Sequence, residues 1–216
     1  MRAKPIKHGI KVFAIFCALS TIILGFKVYV GQEDDSNNTA LGICDDMVKE
    51  AGLTSARGGT LYTDNCYTSM ALAKSMFKKY RWEIFGTITP TDKKSHSYHD
   101  IPFIKFQNGS RNGLQRGWYS EAEITPKTLN GKAYYIQCTT WYDKKQVWFL
   151  SSNEVEYTEG LTVKRHSKKN NEWENIVGQC AQRDYVTYLN AVENNDHDRY
   201  LYSTNIRKIC YYLIIF

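Results

Sequence analysis

The sequence lacks the features that mark several common classes of protein. It has no Cys-x-x-Cys pair and no histidines paired at metal-ligand spacing, so a zinc site is not expected. No block of five like charges occurs, which argues against a basic nucleic-acid-binding tail. No apolar run reaches the roughly 20 residues that span a bilayer as a helix. Internal repeats and low-complexity tracts are also absent, which excludes repeat architectures and leaves a globular domain to consider.

The composition is typical of a globular protein with many strands. Of the 216 residues, 43% are hydrophobic, 14% aromatic and 23% charged, which excludes wholesale disorder. Sixteen tyrosines and five tryptophans favour β-structure. The six cysteines are scattered without a pattern, which fits reduced and mostly buried thiols better than three disulfides. A net charge of +6 permits a polyanionic partner without requiring one.

Residues 12–26 allow two interpretations. They are nearly uncharged and follow a basic segment, as in a signal peptide or a short membrane anchor, which would direct the chain to a membrane or the secretory pathway. The alternative is a β-hairpin, because apolar residues alternate through residues 10–16 and again through residues 22–30. Lys27 interrupts the second run and counts against a membrane span, so the hairpin is favoured.

Residues 1–90 as a whole predict an α/β layer pattern of order ββαβαβ. After the two strands of the hairpin, apolar spacing predicts helices over residues 41–53 and 70–80. Short alternating runs predict strands over residues 61–63 and 82–89. This pattern defines a first domain segment.

Residues 91–162 differ in character and predict an inserted, β-rich and basic subdomain. Three alternating runs, at residues 118–125, 133–140 and 146–151, predict successive antiparallel strands. Lysine, arginine and tryptophan recur here and just beyond, a pattern typical either of a nucleic-acid face or of a solvated surface around a β core. The candidate DNA contacts are Lys144, Lys145, Lys164, Arg165, Lys168 and Lys169. Residues 163–216 then predict a connector and a last helical part. The polar connector extends over residues 161–177 and allows a strand at residues 161–165, and the helix starts at residue 184.

Asp64 is the residue on which a functional hypothesis rests. It follows the predicted strand of residues 61–63, and either Thr68 or Ser69 is placed to cap the next helix. A carboxylate at the C-terminal end of a strand is a common way to aim a metal ligand out of a sheet. The plainer interpretation is that Asp64-Asn65 forms a turn in which the aspartate only binds backbone amides.

Several motifs together resemble the catalytic domain of piggyBac-type transposases and their domesticated derivatives. The most specific is Tyr-Thr-Asp-Asn-Cys-Tyr-Thr-Ser at residues 62–69. Lys-Pro-Ile-Lys at residues 4–7 precedes it. Val-Trp-Phe-Leu-Ser-Ser at residues 147–152 and Asn-Ala-Val-Glu-Asn-Asn-Asp at residues 190–196 follow in the family's order. The resemblance therefore extends over nearly the whole chain.

The resemblance implies an RNase H-like α/β fold, a mixed sheet flanked by helices and interrupted by the β-rich insertion. In such enzymes three acidic residues hold two divalent metal ions that cleave and transfer DNA strands. Mg²⁺ is the implied cofactor, since it prefers oxygen ligands. Asp64 matches the second acidic position and Glu193 the third, which makes both candidate catalytic and metal-binding residues. The first position, and with it the first strand, has no counterpart because the sequence starts at Met1.

Three functional hypotheses follow. The first is a truncated, degenerate transposase-derived domain, expected to be inactive alone because losing one ligand of a cooperating triad removes most of the rate. The second is a non-catalytic DNA-binding module. The third is a protein anchored in a membrane through residues 12–26. The first two imply a DNA partner and a nuclear location, allow a homodimer, and involve no small-molecule substrate and no membrane.

Overall fold

The computed structural model describes residues 11–29, 39–55, 58–89, 114–129, 132–152, 161–167 and 170–189. The chain divides into two compact units. The first comprises Met1–Leu53 and Asn190–Phe216, and the second comprises Thr54–Leu189.

The described part of the first unit is a β-hairpin covered by a helix. Strands β1 (Lys11–Phe16) and β2 (Ile23–Tyr29) pair antiparallel, so the predicted hairpin is confirmed. Lys27, the charge that counted against a membrane span, pairs with Asp46 of helix α1 (Ala40–Glu50) at 2.8 Å. Among the helices that the structure describes, none combines the length and apolar composition needed to cross a bilayer.

Helix α1 begins and ends at residues that suit those positions. The Thr39 hydroxyl accepts a hydrogen bond from the Gly42 amide at 3.1 Å, which caps the N-terminus. At the other end Gly52 has a φ of +67°, a left-handed conformation that glycine adopts without strain. Between them Met47 and Val48 are buried, so the helix presents the apolar side that its sequence predicted.

In the second unit, five of the described strands form one mixed sheet: β3 (Thr60–Thr63), β4 (Glu83–Ile88), β5 (Tyr119–Leu129), β6 (Lys132–Tyr142) and β7 (Gln146–Ser151). Their order is β3-β4-β7-β6-β5. Strands β3 and β4 are parallel and the other described pairs are antiparallel. The parallel pair follows from helix α2 (Met70–Tyr80), which connects the two strands as a crossover.

Helix α2 resolves a choice that the sequence left open. Ser69 is the N-cap, since its hydroxyl accepts a hydrogen bond from the Leu72 amide at 3.1 Å. Thr68 instead turns its hydroxyl toward the end of β3. The helix ends at Arg81, which has a left-handed φ of 62°. Met70 and Met76 are buried.

The three strands predicted within residues 118–151 are confirmed as β5, β6 and β7. They extend the sheet that contains β3 and β4, with Phe85 of β4 opposite Ser151 of β7. The predicted boundary near residue 90 lies outside the described residues. The division into residues 1–90, 91–162 and 163–216 therefore stays a prediction.

Two elements near the end of the second unit differ from the sequence prediction. Strand β8 (Thr162–Ser167) was expected in part, but β9 (Glu172–Val177), its antiparallel partner, was assigned to a connector. Helix α3 (residues 180–189) begins four residues before the predicted start at residue 184. The reason for both is a shared core of Ile176, Cys180 and Ala181 against Phe85, Trp141 and Phe149.

The cysteines agree with the expectation of reduced thiols. None of the five that the structure describes forms a disulfide, and Cys44, Cys138 and Cys180 are buried. Cys17 is half-buried and Cys66 is exposed.

Candidate metal and nucleic-acid sites

Asp64 lies directly after β3 and is exposed to solvent. Its Oδ1 accepts a hydrogen bond from the Cys66 amide at 2.8 Å. Its backbone carbonyl accepts from the amides of Tyr67 at 3.1 Å and Thr68 at 3.0 Å. The turn interpretation of this residue is therefore correct in its geometry. Within the described residues no donor bonds to Oδ2, so one oxygen of the exposed carboxylate is left for a cation.

A buried pair of threonines holds this turn against the sheet. Thr68 Oγ1 lies 2.8 Å from Thr63 Oγ1, 2.8 Å from the Asp64 carbonyl oxygen and 3.2 Å from the Thr63 carbonyl oxygen. Because the hydroxyl bridges the last residue of β3 and the first residue of the turn, it fixes the direction in which the chain leaves the strand. The position of Asp64 thus depends on Thr63 and Thr68, which the sequence motifs did not mark as site residues.

Gly86 provides the space for this threonine pair. It lies opposite Thr63 in the parallel register of β3 and β4. A Cβ on Gly86 would lie 2.1 Å from Thr68 Oγ1 and 2.4 Å from the Thr63 carbonyl oxygen. A glycine within a strand often marks a close backbone approach, and this one was the sequence signal for the missed site residues.

The aromatic side of α3 packs across β3, β4 and β7. The ring centroid of Tyr188 lies 4.7 Å from that of Tyr62, which is two residues before Asp64. The ring centroid of Tyr185 lies 5.7 Å from that of Phe149 and 6.4 Å from that of Phe85. Burial is the main cause that raises the pKa of Tyr62. Its phenol therefore stays neutral at physiological pH and contributes packing rather than charge beside the Asp64 turn.

The second predicted metal ligand, Glu193, lies outside the described residues. Within the described ranges, no three histidine, cysteine, aspartate or glutamate side chains converge as a metal site. Of the two predicted ligands, Asp64 is the one that lies within the described residues. Its carboxylate has the hard oxygen chemistry that Mg²⁺ takes, and its exposure and open Oδ2 fit a cation.

The candidate DNA contacts fall into two groups. Lys144 and Lys145, in the turn between β6 and β7, and Lys164 on β8 are exposed. Arg165 instead has its Nε 3.3 Å from Asp143 Oδ2, and its guanidinium lies 5.7 Å from the ring centroid of Trp141. This arginine therefore ties β8 to the β6–β7 turn, which brings that turn beside the strand carrying Lys164. Lys168 and Lys169 lie outside the described residues.

Arg116 is a second ion-pair partner of the Asp143 carboxylate. In the sequence it stands out only as one of many basic residues. Its Nε bonds to Asp143 Oδ1, and its Nη1 lies 3.6 Å from Glu174 Oε2. Nη2 of Arg116 is buried with no acceptor among the described residues. With two arginines on Asp143, the negative charge in this turn is neutralised. The neighbouring lysines are then left as a net positive surface.

Comparisons with known proteins agree with this architecture. The model of the family described as Transposase IS4 matches residues 1–210. Among solved structures, a cryo-EM structure of a piggyBac transposase synaptic complex with hairpin DNA matches with a TM-score of 0.65 and 17% sequence identity. The match covers 91% of this chain and 35% of that one, so this chain spans little more than a third of that transposase. No curated protein gives a significant match.

These findings confirm the resemblance drawn from the sequence motifs. At 17% identity the structural match bears on the fold alone, and it confirms the expected RNase H-like mixed α/β fold. The family match covers nearly the whole chain in one stretch. The chain therefore belongs to the Transposase IS4 family, and it has the fold of a piggyBac transposase.

Proposed function

We propose that this protein is a DNA-binding domain derived from a DNA-cutting transposase, and that these 216 residues alone do not cleave DNA. The observation that carries the proposal is the geometry of Asp64. Its carboxylate is exposed at the end of a strand, the turn is held by the buried Thr63–Thr68 pair, and Oδ2 is open toward solvent. A carboxylate held in this way at the end of a strand suits a metal ligand.

Asp64 and Glu193 are the residues that would hold a divalent cation, with Mg²⁺ as the natural ion for carboxylates. When bound, such ions activate an attacking oxygen and stabilise a leaving one. The sequence supplies counterparts of the second and third acidic positions and none of the first. Removing one member of a group that acts as a unit costs most of its rate, so weak metal binding without strand cleavage is expected.

Metal binding is tested with Mn²⁺ as a paramagnetic probe, followed by the electron paramagnetic resonance signal of the free ion. Wild-type protein is expected to bind Mn²⁺, and Asp64→Asn to bind it more weakly. Glu50→Gln, which removes an exposed carboxylate of α1, is the matched control and should bind as wild type does. Equal binding by wild type and Asp64→Asn would reject Asp64 as a ligand.

Cleavage is tested by nicking of supercoiled plasmid in Mg²⁺ and in Mn²⁺. Wild type is expected to show no more nicking than Asp64→Ala. Robust nicking that Asp64→Ala abolishes would show that the chain is an active nuclease and would overturn the proposed inactivity.

DNA binding is proposed through the exposed lysines of the β6–β7 turn and β8. Lys144, Lys145 and Lys164 are exposed, whereas Asp143, the carboxylate that adjoins Lys144 in the β6–β7 turn, is neutralised by two arginines. Binding of lysine to phosphates releases counterions, so the affinity should fall steeply with salt. Because its proposed partner is DNA, we also propose that the protein is located in the nucleus and that it forms a homodimer on DNA ends.

The affinity for a fluorescent duplex of about 30 base pairs, measured by anisotropy between roughly 50 and 200 mM salt, tests this interface. The triple variant Lys144→Ala, Lys145→Ala, Lys164→Ala is expected to bind more weakly. It should also lower the slope of log K against log salt by about 0.9 for each phosphate that it no longer neutralises. Lys78→Ala, on the exposed side of α2, is the control and should leave the slope unchanged. Binding that ignores salt, or a triple variant that keeps the wild-type slope, would reject the interface.

A further inference from the structure

The β8–β9 hairpin has two chemically different faces. Because successive side chains of a strand point to opposite sides, the cross-strand pairs alternate between them. One face contains the pair Val163–Ile176 and packs on the core of the second unit. The opposite side, called the outer face here, carries three pairs: Thr162–Val177, Lys164–Asn175 and His166–Trp173.

Trp173 on the outer face is exposed to an unusual degree. Its relative exposure is 71%, whereas Trp141 and Trp148 in the sheet are 3% and 6% exposed. The ring of His166 lies 5.5 Å from it in an edge-on arrangement with an interplanar angle of 73°, which orients the indole while most of it remains open. A single exposed apolar side chain is common on protein surfaces, so the meaning of Trp173 depends on the groups beside it.

Charge is separated between the two faces. Lys164 is the full positive charge of the outer face. The carboxylates of β9 lie on the other face, where Glu174 is opposite Arg165 and Glu172 is two residues away. The outer face is therefore cationic and free of acidic side chains among its described residues, which suits a negatively charged partner.

The outer face shares Lys164 with the proposed duplex contacts. On the opposite face, the Asp143–Arg165 ion pair holds β8 beside the β6–β7 turn that carries Lys144 and Lys145. Adjacent pairs on one face of a strand are roughly 7 Å apart, so Trp173 and the Lys164–Asn175 pair are neighbours on the outer face.

We propose that the outer face binds an unpaired DNA base, which stacks on Trp173 while Lys164 contacts the adjoining phosphate and Asn175 offers its amide to the base edge. Stacking on an exposed aromatic beside a basic track is how proteins hold single strands without strict sequence preference. Trp173 is flanked by His166 and Asn175 rather than by a broad apolar patch, which fits a nucleotide because its base can stack and its edge can take hydrogen bonds. The proposal rests on the DNA-binding function proposed above and assigns it a second kind of contact.

The test compares three fluorescent probes bound to the full chain: a single-stranded thymidine 12-mer, an abasic strand of the same length, and a blunt duplex. Trp173→Ala is expected to weaken binding of the 12-mer roughly 5- to 150-fold, the range typical of losing one stacked base. Trp173→Phe retains an aromatic face and should keep most of the affinity. Tyr119→Ala, which removes an aromatic of 47% exposure from β5, is the control and should bind as wild type does.

The abasic strand is expected to bind wild type no better than the 12-mer binds Trp173→Ala, since both lack the stacked pair. Equal affinity of wild type for the abasic strand and the 12-mer would overturn the proposal, as would an unchanged 12-mer affinity in Trp173→Ala. If either result occurs while duplex binding stays intact and salt-dependent, only the base-stacking proposal is rejected. If the wild-type protein binds none of the three probes, the DNA-binding function is rejected as well. A dimer in sedimentation that Trp173→Ala dissociates would assign the face to a second copy instead.

Discussion

Replacing Gly86 with alanine is expected to break the packing that holds the Asp64 turn. The new methyl group would meet Thr68 Oγ1 at 2.1 Å and the Thr63 carbonyl oxygen at 2.4 Å. The carbonyl belongs to the backbone of β3, which is paired in parallel with β4, so it cannot rotate away as the end of a flexible side chain would. Thr68 would have to leave its position, and the turn would move with it.

The cost follows from two effects. Forcing an extra methyl group into a closely packed site costs roughly 1–3 kcal/mol. The buried Thr68 hydroxyl accepts one hydrogen bond and donates one, and breaking these costs about 1 kcal/mol each. The sum is about 3–5 kcal/mol of the free energy of unfolding, which lowers the melting temperature of a chain of this size by roughly 6–20 °C.

The measurement is thermal and urea unfolding followed by far-ultraviolet circular dichroism. The matched control is Gly59→Ala at the entrance to β3, where the added Cβ would meet the Trp82 side chain at 3.3 Å and need displace no backbone atom. The control should lose less than about 1 kcal/mol. In the Gly86→Ala background, Thr68→Ala should relieve only part of the strain, because the clash with the Thr63 carbonyl remains.

Equal stability of the Gly86→Ala and Gly59→Ala variants would contradict the close approach of the two strands at Gly86. That result would mean that the strands separate without cost, and that the close approach does not position Asp64. Gly86→Ala could also lose much stability while its Mn²⁺ binding stays unchanged. That outcome would show that Gly86 matters for packing but not for the position of Asp64 as a metal ligand.

Three further predictions concern charge and ionisation. Arg165→Ala is expected to lower the free energy of unfolding by about 1–3 kcal/mol, because it removes a half-buried ion pair, and an unchanged urea midpoint would contradict that structural role. Burial raises the pKa of Glu83, so the folded state becomes less stable as pH rises from the ordinary carboxyl pKa through the raised one. Glu83→Gln should therefore be more stable than wild type at about pH 7 but not at about pH 3.5, and an equal difference at both pH values would rule this out. Burial raises the pKa of Cys138 to about 12, whereas a hydrogen bond from the Ser20 side chain lowers the pKa of Cys17. Iodoacetamide at about pH 7.5 should therefore alkylate Cys17 and spare Cys138 in the folded protein, and peptide mapping that finds both modified at one rate would refute it.

The sequence predicted the elements whose pattern is local. Alternating apolar residues placed the hairpin of β1 and β2, and helical spacing placed α1 and α2, because each presents one apolar side to a neighbour. Gly52 follows the end of α1 in a left-handed conformation, which glycine adopts without strain.

Local pattern failed where an element is stabilised by distant residues. Strand β9 reads Glu-Trp-Glu-Asn-Ile-Val, in which Trp173 is exposed and Ile176 is buried, so its alternation does not separate apolar from polar positions. Helix α3 begins earlier than its polar sequence indicated because Cys180 and Ala181 are drawn into the core beside Phe85. Neither of these packing arrangements has a signal within a short window of sequence.

For the site, local sequence was enough to place Asp64 at the end of a strand before a capped helix and to reveal the motifs of a transposase family. Those properties follow from neighbours in the chain. Two other features became visible in the folded chain: Gly86 makes room for Thr68, and Arg165 is held by Asp143 while Lys164 faces solvent. Those roles depend on which strands lie side by side. Strand β3 contacts β4, and the β6–β7 turn contacts β8, only in the folded chain.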